Sequence, residues 1–176
     1  MRWDLTDAPA EKVRLAQALV ERSAKAGWNR CTLQAAAVDV CADSAAWRRH
    51  FPRGSRDAIW FISEASDASM AAAFRGRAAP NLAAVIIERL QQNLSLKPFV
   101  RRVMLFDIAH PAQALARMQR TADVMLGCLR PQAKSPSASA LNLAYTAIVF
   151  VWLFDRSAGD AATERTTRRL VALIGG

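Results

Sequence analysis

Apolar residues recur every three or four positions along nearly the whole chain, and no stretch alternates apolar with polar residues between turn signals. That period is the repeat of a helix and not of a strand, so the expected fold class is all-α. With 176 residues, 52% of them hydrophobic and 22% charged, the chain is long enough to bury a real interior. It fits one compact domain or two small helical subdomains. No internal repeat is visible.

Glycine and proline punctuate the pattern into about nine helices. The first is expected over Ala8–Ala26, with Asp7 as its N-cap, Pro9 in its first turn and Gly27 at its end. A second covers Thr32–Val40. A short third runs from Ser44 to Phe51, with Asp43 placed to cap its first turn, and Pro52 and Gly54 stop it. The fourth starts at Ser55, carries Ile59, Trp60, Ile62, Met70 and Phe74, and breaks at Gly76 and Pro80. Asn81 caps a fifth whose stripe is Leu82, Val85, Ile86, Leu90 and Leu94. Pro98 opens a sixth, and His110-Pro111 marks its end, because the residue before proline is steered away from helical geometry. The seventh spans Ala112–Leu129, and Pro131–Pro136 forms a polar connector. The eighth, Ala138–Asp155, is apolar nearly all round and so is expected to be buried or packed on another copy of itself. Ala161–Ile174 completes the chain, with Arg165, Arg168 and Arg169 opposite Leu170 and Leu173.

The formal charge of +9 and pI near 10.7 favour phosphate, nucleic acid or an anionic bilayer as partners, but say nothing of fold. The arginines are scattered as Arg48, Arg49, Arg53 and Arg56, Arg75 and Arg77, Arg101 and Arg102, Arg117 and Arg120, and Arg165, Arg168 and Arg169. Such spacing reads first as solvated helix faces. Three cysteines, Cys31, Cys41 and Cys128, show no CxxC spacing, which suits a reducing compartment. The opening Met1-Arg2-Trp3-Asp4-Leu5 has neither the apolar run of a secretory leader nor the character of an organelle presequence, so a bacterial cytoplasmic protein is expected. The most apolar segment, Leu141–Phe154, is shorter than the roughly 20 residues that cross a bilayer.

Gly27-Trp28, Thr32-Leu33-Gln34-Ala35-Ala36-Ala37, a turn, and Asp43 to Phe51 followed by Pro52 and Ser55 have the layout of a helix-turn-helix. In order and spacing they resemble the DNA-binding subdomain of TetR-family regulators. The resemblance implies that Ser44, Ala45, Ala46, Trp47 and Arg48 face a duplex, with His50-Phe51 as the exit, and Arg48, Arg49 and Arg53 are placed for phosphate contacts. Three features depart from the family pattern. Cys41 stands where the turn glycine is expected, Arg48 where a phosphate-gripping tyrosine is usual, and alanines occupy two early groove positions.

Across residues 11 to 174 a narrower resemblance emerges. Phe51-Pro52-Arg53-Gly54-Ser55-Arg56-Asp57-Ala58-Ile59, the run Arg101-Arg102-Val103-Met104 leading to His110-Pro111, and Ala144-Tyr145 through Trp152-Leu153-Phe154-Asp155-Arg156-Ser157 are similar to the lipid-binding accessory family of coenzyme Q (ubiquinone) biosynthesis, ninth of the Coq series. This resemblance implies a TetR-like homodimer whose helix-turn-helix no longer reads DNA. It further implies an apolar pocket for an isoprenoid lipid or quinone intermediate, and a di-iron quinone hydroxylase as partner. The partner surface falls, by position, on Phe106, Asp107, Ile108, Ala109, His110 and Pro111. Members of that family carry a further amphipathic, membrane-contacting helix that does not follow here. Peripheral contact with a bacterial inner membrane then depends on the stripe Arg165, Arg168 and Arg169.

On this reading residues 1–54 form the helix-turn-helix-like subdomain, and residues 55–176 the ligand-binding and dimerisation subdomain. A pocket for a prenylated ring needs long apolar walls. Trp60, Phe61, Met70, Phe74, Phe99, Met104, Phe106, Met118, Met125, Tyr145, Phe150 and Trp152 are the candidates to line it, although each is also an ordinary core residue of a helical bundle. The lone tyrosine hydroxyl, on Tyr145, should seek either a ligand head group or a backbone carbonyl.

Catalysis finds little support. His50 and His110 lie near no cysteine or carboxylate at ligand spacing, so no metal is expected. Cys128 has no evident base, and no glycine-rich phosphate loop occurs. The expected protein is a non-enzyme without cofactor. The alternative is a TetR-type repressor that senses a small apolar ligand and binds DNA through Ser44, Trp47, Arg48, Arg49 and His50.

Overall fold

The computed structural model describes residues 8–75, 80–129 and 136–175, and among these every regular element is helical. The helices are α1 (Ala10–Ala26), α2 (Arg30–Cys41), α3 (Trp47–His50), α4 (Ser55–Ala73), α5 (Leu82–Gln92), α6 (Lys97–Ala109), α7 (Pro111–Gly127), α8 (Ala138–Phe154) and α9 (Ala161–Gly175). Two short 3-10 turns, Leu94–Leu96 and Ala158–Asp160, precede α6 and α9. The all-α expectation holds. The cap expected of Asp7, the break at Gly76 and most of the connector from Pro131 lie outside the described residues.

Local chemistry sets most of these ends. Gly27 closes α1 with φ +75°. Asn29 caps α2 by accepting from the Thr32 amide at 2.9 Å, and the Thr32 hydroxyl donates to the Gly27 carbonyl, also at 2.9 Å. Asp43 accepts from the Ala45 amide at 2.8 Å, as its position before a helix predicts, but residues 44–46 form a turn and α3 itself is a single turn. Asn81 caps α5 through the Ala84 amide at 2.8 Å. Pro98 sits in the first turn of α6, where a missing amide hydrogen costs nothing. The stripe expected along α5 stops short of Leu94. That residue falls in the 3-10 turn and is exposed, while Leu96 is buried.

The chain divides into two compact units that differ from a simple front and back. The first extends to Ala65 and takes in Ser95–Gln113; the second comprises Ser66–Leu94 and the residues from Ala114 onward. The helix α4 therefore contributes to both, as its length of 19 residues allows.

In the first unit, α1 packs on α2 and α6, and α2 on α3. Its core gathers Leu15, Leu19, Leu33, Phe51, Phe61 and Phe99, all buried. The edge of Trp28 meets Phe99 at a centroid distance of 5.5 Å, a favoured aromatic geometry. Phe61 lies 5.9 Å from Phe51 and carries the Lys12 ammonium over its face at 4.4 Å. In the second unit α9 packs on α8 and α5, and α5 on α8. Met70, Val85, Ile86, Met125, Leu141, Ile148 and Leu153 are completely or almost completely removed from solvent there.

Candidate functional site

The helix-turn-helix segment holds its polar side chains by internal bonds. His50 Nε2 donates to Glu11 Oε1 at 2.8 Å, tying α3 back to α1. The Glu11 carboxyl is held below its ordinary value chiefly by this bond, against a smaller opposing effect of burial. Arg49 is shared between Glu11, at 3.5 Å, and Asp43, at 3.4 Å. Trp47 and Ala46 do not face outward as the groove-reading expectation requires. Both are buried, because the indole fills the space beneath Gly54 and beside Leu33. Ser44 and Arg48 remain exposed, Arg48 with its guanidinium 5.3 Å from the Trp47 ring.

The left-handed turn residue between α2 and α3 is Ala42, with φ +53° and ψ +18°, and not Cys41 one position earlier. A side chain in that region is strained by about 1–2 kcal/mol. Gly54, by contrast, adopts φ +65° where the sequence supplies glycine, and the carboxylate of Asp57 accepts from the Arg53 amide at 2.8 Å. The Phe51–Ile59 motif is thus a built corner. Phe51 anchors it in the core, Gly54 turns it and Asp57 ties its backbone.

The expected pocket residues are divided between the two units. Trp60, Phe61, Phe99, Met104 and Phe106 belong to the first. There Phe61 and Phe99 are core, Trp60 donates to Glu64 at 3.0 Å, and Phe106 stacks on His110 at 4.1 Å. Met70, Phe74, Met118, Met125, Tyr145, Phe150 and Trp152 belong to the second. Met70, Met125, Tyr145 and Trp152 are buried, Phe74 and Met118 half-buried, and Phe150 is 55% exposed and paired with Phe154 at 5.1 Å.

At the expected partner surface, Ile108 is 77% exposed, with Ala109 and Pro111 also at the surface; Leu105, one turn before it, is exposed as well. Asp107 is half-buried, and His110 donates through Nδ1 to the Phe106 carbonyl at 2.9 Å.

A buried polar cluster in the second unit escaped the sequence reading. Asp67 of α4 is 1% exposed and Arg89 of α5 7%. Arg89 Nη2 stands 2.9 Å from Asp67 Oδ1, and Arg120 Nη1 of α7 donates to Asp67 Oδ2 at 2.7 Å. The Thr121 hydroxyl adds contacts of 3.2 and 3.1 Å to the two carboxylate oxygens. Arg89 Nε donates to the Tyr145 hydroxyl of α8 at 3.2 Å. The tyrosine's partner is therefore a buried guanidinium, neither a backbone carbonyl nor, within the chain, a free position.

Burial alone would lower the Arg89 guanidinium, but Tyr145 and Asp67 together hold it above its ordinary value. Burial raises the Tyr145 phenol, with Asp67 adding to the rise and Arg89 opposing it. The phenol is thus held neutral at pH 7, beside the Asp67 carboxyl that Arg89 and Arg120 share. A signal for it was present in the sequence. Asp67 is three residues before Met70, and Arg89 falls three after Ile86 on the buried stripe of α5, so each charge interrupts an apolar face at helical spacing.

Neither thiol with a resolved shift is activated for nucleophilic work. Burial, aided by Glu11, raises Cys41, and burial together with Asp67 raises Cys128. Among the described residues no three His, Cys, Asp or Glu side chains gather as metal ligands. No helix among them is long and apolar enough to cross a membrane.

No protein-family model matches the chain, and no curated protein matches it. A solved structure does: the TetR transcriptional regulator from Nitrosomonas europaea, with a TM-score of 0.73 and 17% sequence identity, covering 94% of this chain and 98% of that one. At that identity the likeness establishes a TetR-like fold and nothing finer.

Proposed function

We propose that this protein is a non-enzymatic, lipid-binding accessory protein of ubiquinone biosynthesis. It holds an isoprenoid or quinone intermediate and presents it to a di-iron quinone hydroxylase. The observation that carries the reading is the apolar surface of α6 around Leu105, Ile108 and Ala109. Exposed apolar side chains that adjoin on one helix face mark contact surfaces; Ile108 and Ala109 stand where the Coq-family resemblance puts the hydroxylase, and Leu105 adjoins them one turn earlier. The binding role falls to the apolar stock Trp60, Phe61, Met70, Phe74, Phe99, Met104, Phe106, Met118, Met125, Tyr145, Phe150 and Trp152.

The helix-turn-helix adds support from the negative side. With Trp47 buried and Arg49 and His50 bonded to Glu11, few groups are left to read base edges. A homodimer is part of the proposal. Leu143, Phe150 and Phe154 are exposed on one face of α8, and an apolar helix face of this kind is buried by a second copy at low cost. The setting is the cytoplasm, with peripheral inner-membrane contact through Arg165, Arg168 and Arg169.

Solvent extraction and mass spectrometry of protein purified without added lipid is expected to yield a prenylated quinone, its precursor or another isoprenoid. Repeatedly empty protein would count against the reading. A second reading is favoured by the solved structure that the fold resembles, whose name is that of a transcriptional regulator. In that case Ser44, Arg48 and the neighbouring arginines contact an operator, and an apolar ligand releases it. Selection of binding sites from random DNA separates the two, since a repressor enriches one pseudo-palindrome and the accessory protein enriches none.

A further inference from the structure

The donors and acceptors of the buried cluster do not balance. Both oxygens of Asp67 are already taken up by Arg89, Arg120 and Thr121. Arg89 uses Nη2 on Asp67 and Nε on Tyr145, but its Nη1 is buried and meets no hydrogen-bond partner. The oxygen of Tyr145 accepts from Arg89, which leaves its own O–H to donate. Two donors on adjacent groups thus exceed the acceptors at hand. An unpaired buried donor costs about 1–3 kcal/mol, so the arrangement favours anything that brings an oxygen lone pair to it.

The surrounding helix faces restrict what that oxygen belongs to. One helical step from each member of the cluster stand Met70, Ile86, Met125 and Ile148, all buried and all apolar. Asp67 is shared between Arg89 and Arg120, so charge balance alone does not exclude an anion; burial among these apolar side chains disfavours one, because a carboxylate brought here loses its water. A neutral carbonyl fits there, and a carboxylate or phosphate does not.

We propose that Arg89 and Tyr145 together form the receptor for a neutral carbonyl oxygen on an otherwise apolar ligand, the chemistry of an alkylated quinone or ketone. The proposal rests on the lipid-binding reading above and adds to it the atoms that select the head. Asp67, Arg120 and Thr121 are positioning residues that hold the guanidinium in place.

Calorimetric titration of the full chain with decyl-benzoquinone, decylbenzene and decylbenzoic acid tests it. The wild-type protein is expected to bind the quinone roughly tenfold more tightly than the hydrocarbon, about the effect of one good hydrogen bond, and more tightly than the acid. Tyr145→Phe keeps the shape and Arg89→Lys keeps the charge opposite Asp67. Each should erase most of the quinone's advantage over decylbenzene, with circular dichroism checking the fold. Equal wild-type binding of quinone and hydrocarbon, preference for the acid, or a preference that survives in both folded variants overturns the receptor but leaves the lipid-binding reading standing. Failure of all three probes to bind overturns both.

Discussion

Glu11 and His50, separated by 39 positions in sequence, meet at 2.8 Å and bind the end of α3 to the first turn of α1. The same carboxylate also reaches Arg49. In a groove-reading helix these two side chains would be turned to the duplex; here they stabilise the contact between helices. Arg48 is the member of the trio without an ion pair among the described residues, and it is exposed. Nucleic-acid binding by this chain is therefore expected to be non-specific and steeply salt-sensitive. Replacing Arg48→Ala should reduce the slope of log affinity against log salt by about 1, the loss of one phosphate contact. Fluorescence anisotropy over a salt series on several unrelated duplexes measures this, and discrimination among duplexes that persists at high salt would refute it.

Two positions with the same left-handed backbone make opposite predictions for stability. Ala42, at φ +53°, carries a methyl group where glycine would sit without strain, so Ala42→Gly should stabilise the protein by roughly 1 kcal/mol. Gly54, at φ +65°, is already relaxed, and a Cβ there would lie 3.4 Å from Leu33 Cδ1. Gly54→Ala should therefore destabilise by about 1 kcal/mol, mostly through backbone strain. Urea denaturation of the two variants gives the signs directly, and a shared sign would contradict the argument.

These turns also show what the chain's text reveals. Helix positions are legible because Gly27, Asn81, Pro98 and Pro111 act through local chemistry alone, and the observed ends fall within a few residues of the expected ones. The third helix was overestimated because Asp43 caps a turn as readily as a helix, and the pattern of α3 cannot report that Trp47 is drawn into the core. The grouping of helices is harder still. Ser95–Gln113 joins the first compact unit although a long stretch of chain separates it from α1, and that pairing depends on non-local packing. The candidate site was half legible. Tyr145 stood out as the lone tyrosine, but its partner Arg89 lies 56 residues away, and only a charge on an apolar stripe hinted at it.

The Asp67–Arg89 pair is expected to be expensive to break and cheap to replace. With both groups buried and 2.9 Å apart, removing Asp67 leaves Arg89 charged in an apolar setting, whereas removing Arg89 leaves Asp67 with Arg120 and Thr121. Asp67→Leu alone should cost about 3–5 kcal/mol and Arg89→Met less, whereas the double variant should recover much of the Asp67→Leu loss. Denaturant unfolding of the two single variants and the double variant forms the required cycle. If the losses simply add, the two residues do not depend on each other.

Asp155 joins the end of α8 to the start of α9, and its chemistry makes the junction sensitive to acid. Its carboxylate accepts from the amide and hydroxyl of Ser157, at 2.9 and 2.6 Å, and from the amide and hydroxyl of Thr163, both at 2.7 Å. Burial opposes ionisation, but the bonds to Ser157 and Thr163 outweigh it and hold the carboxyl well below its ordinary value of 3.8. A carboxyl depressed by folding stabilises the native state fully above its unfolded value, and that stabilisation is lost as the pH falls through the folded value. The contribution is present at neutral pH and fades below about pH 4. Partial exposure of the site limits it to roughly 1–2 kcal/mol. Asp155→Asn should lower stability at pH 7 by about that amount, and the gap between variant and wild type should narrow steadily on acidification. Thermal unfolding at intervals from pH 7 to pH 3 follows the gap, and a gap independent of pH would mean that the junction is held by packing between α8 and α9 instead of by this carboxylate.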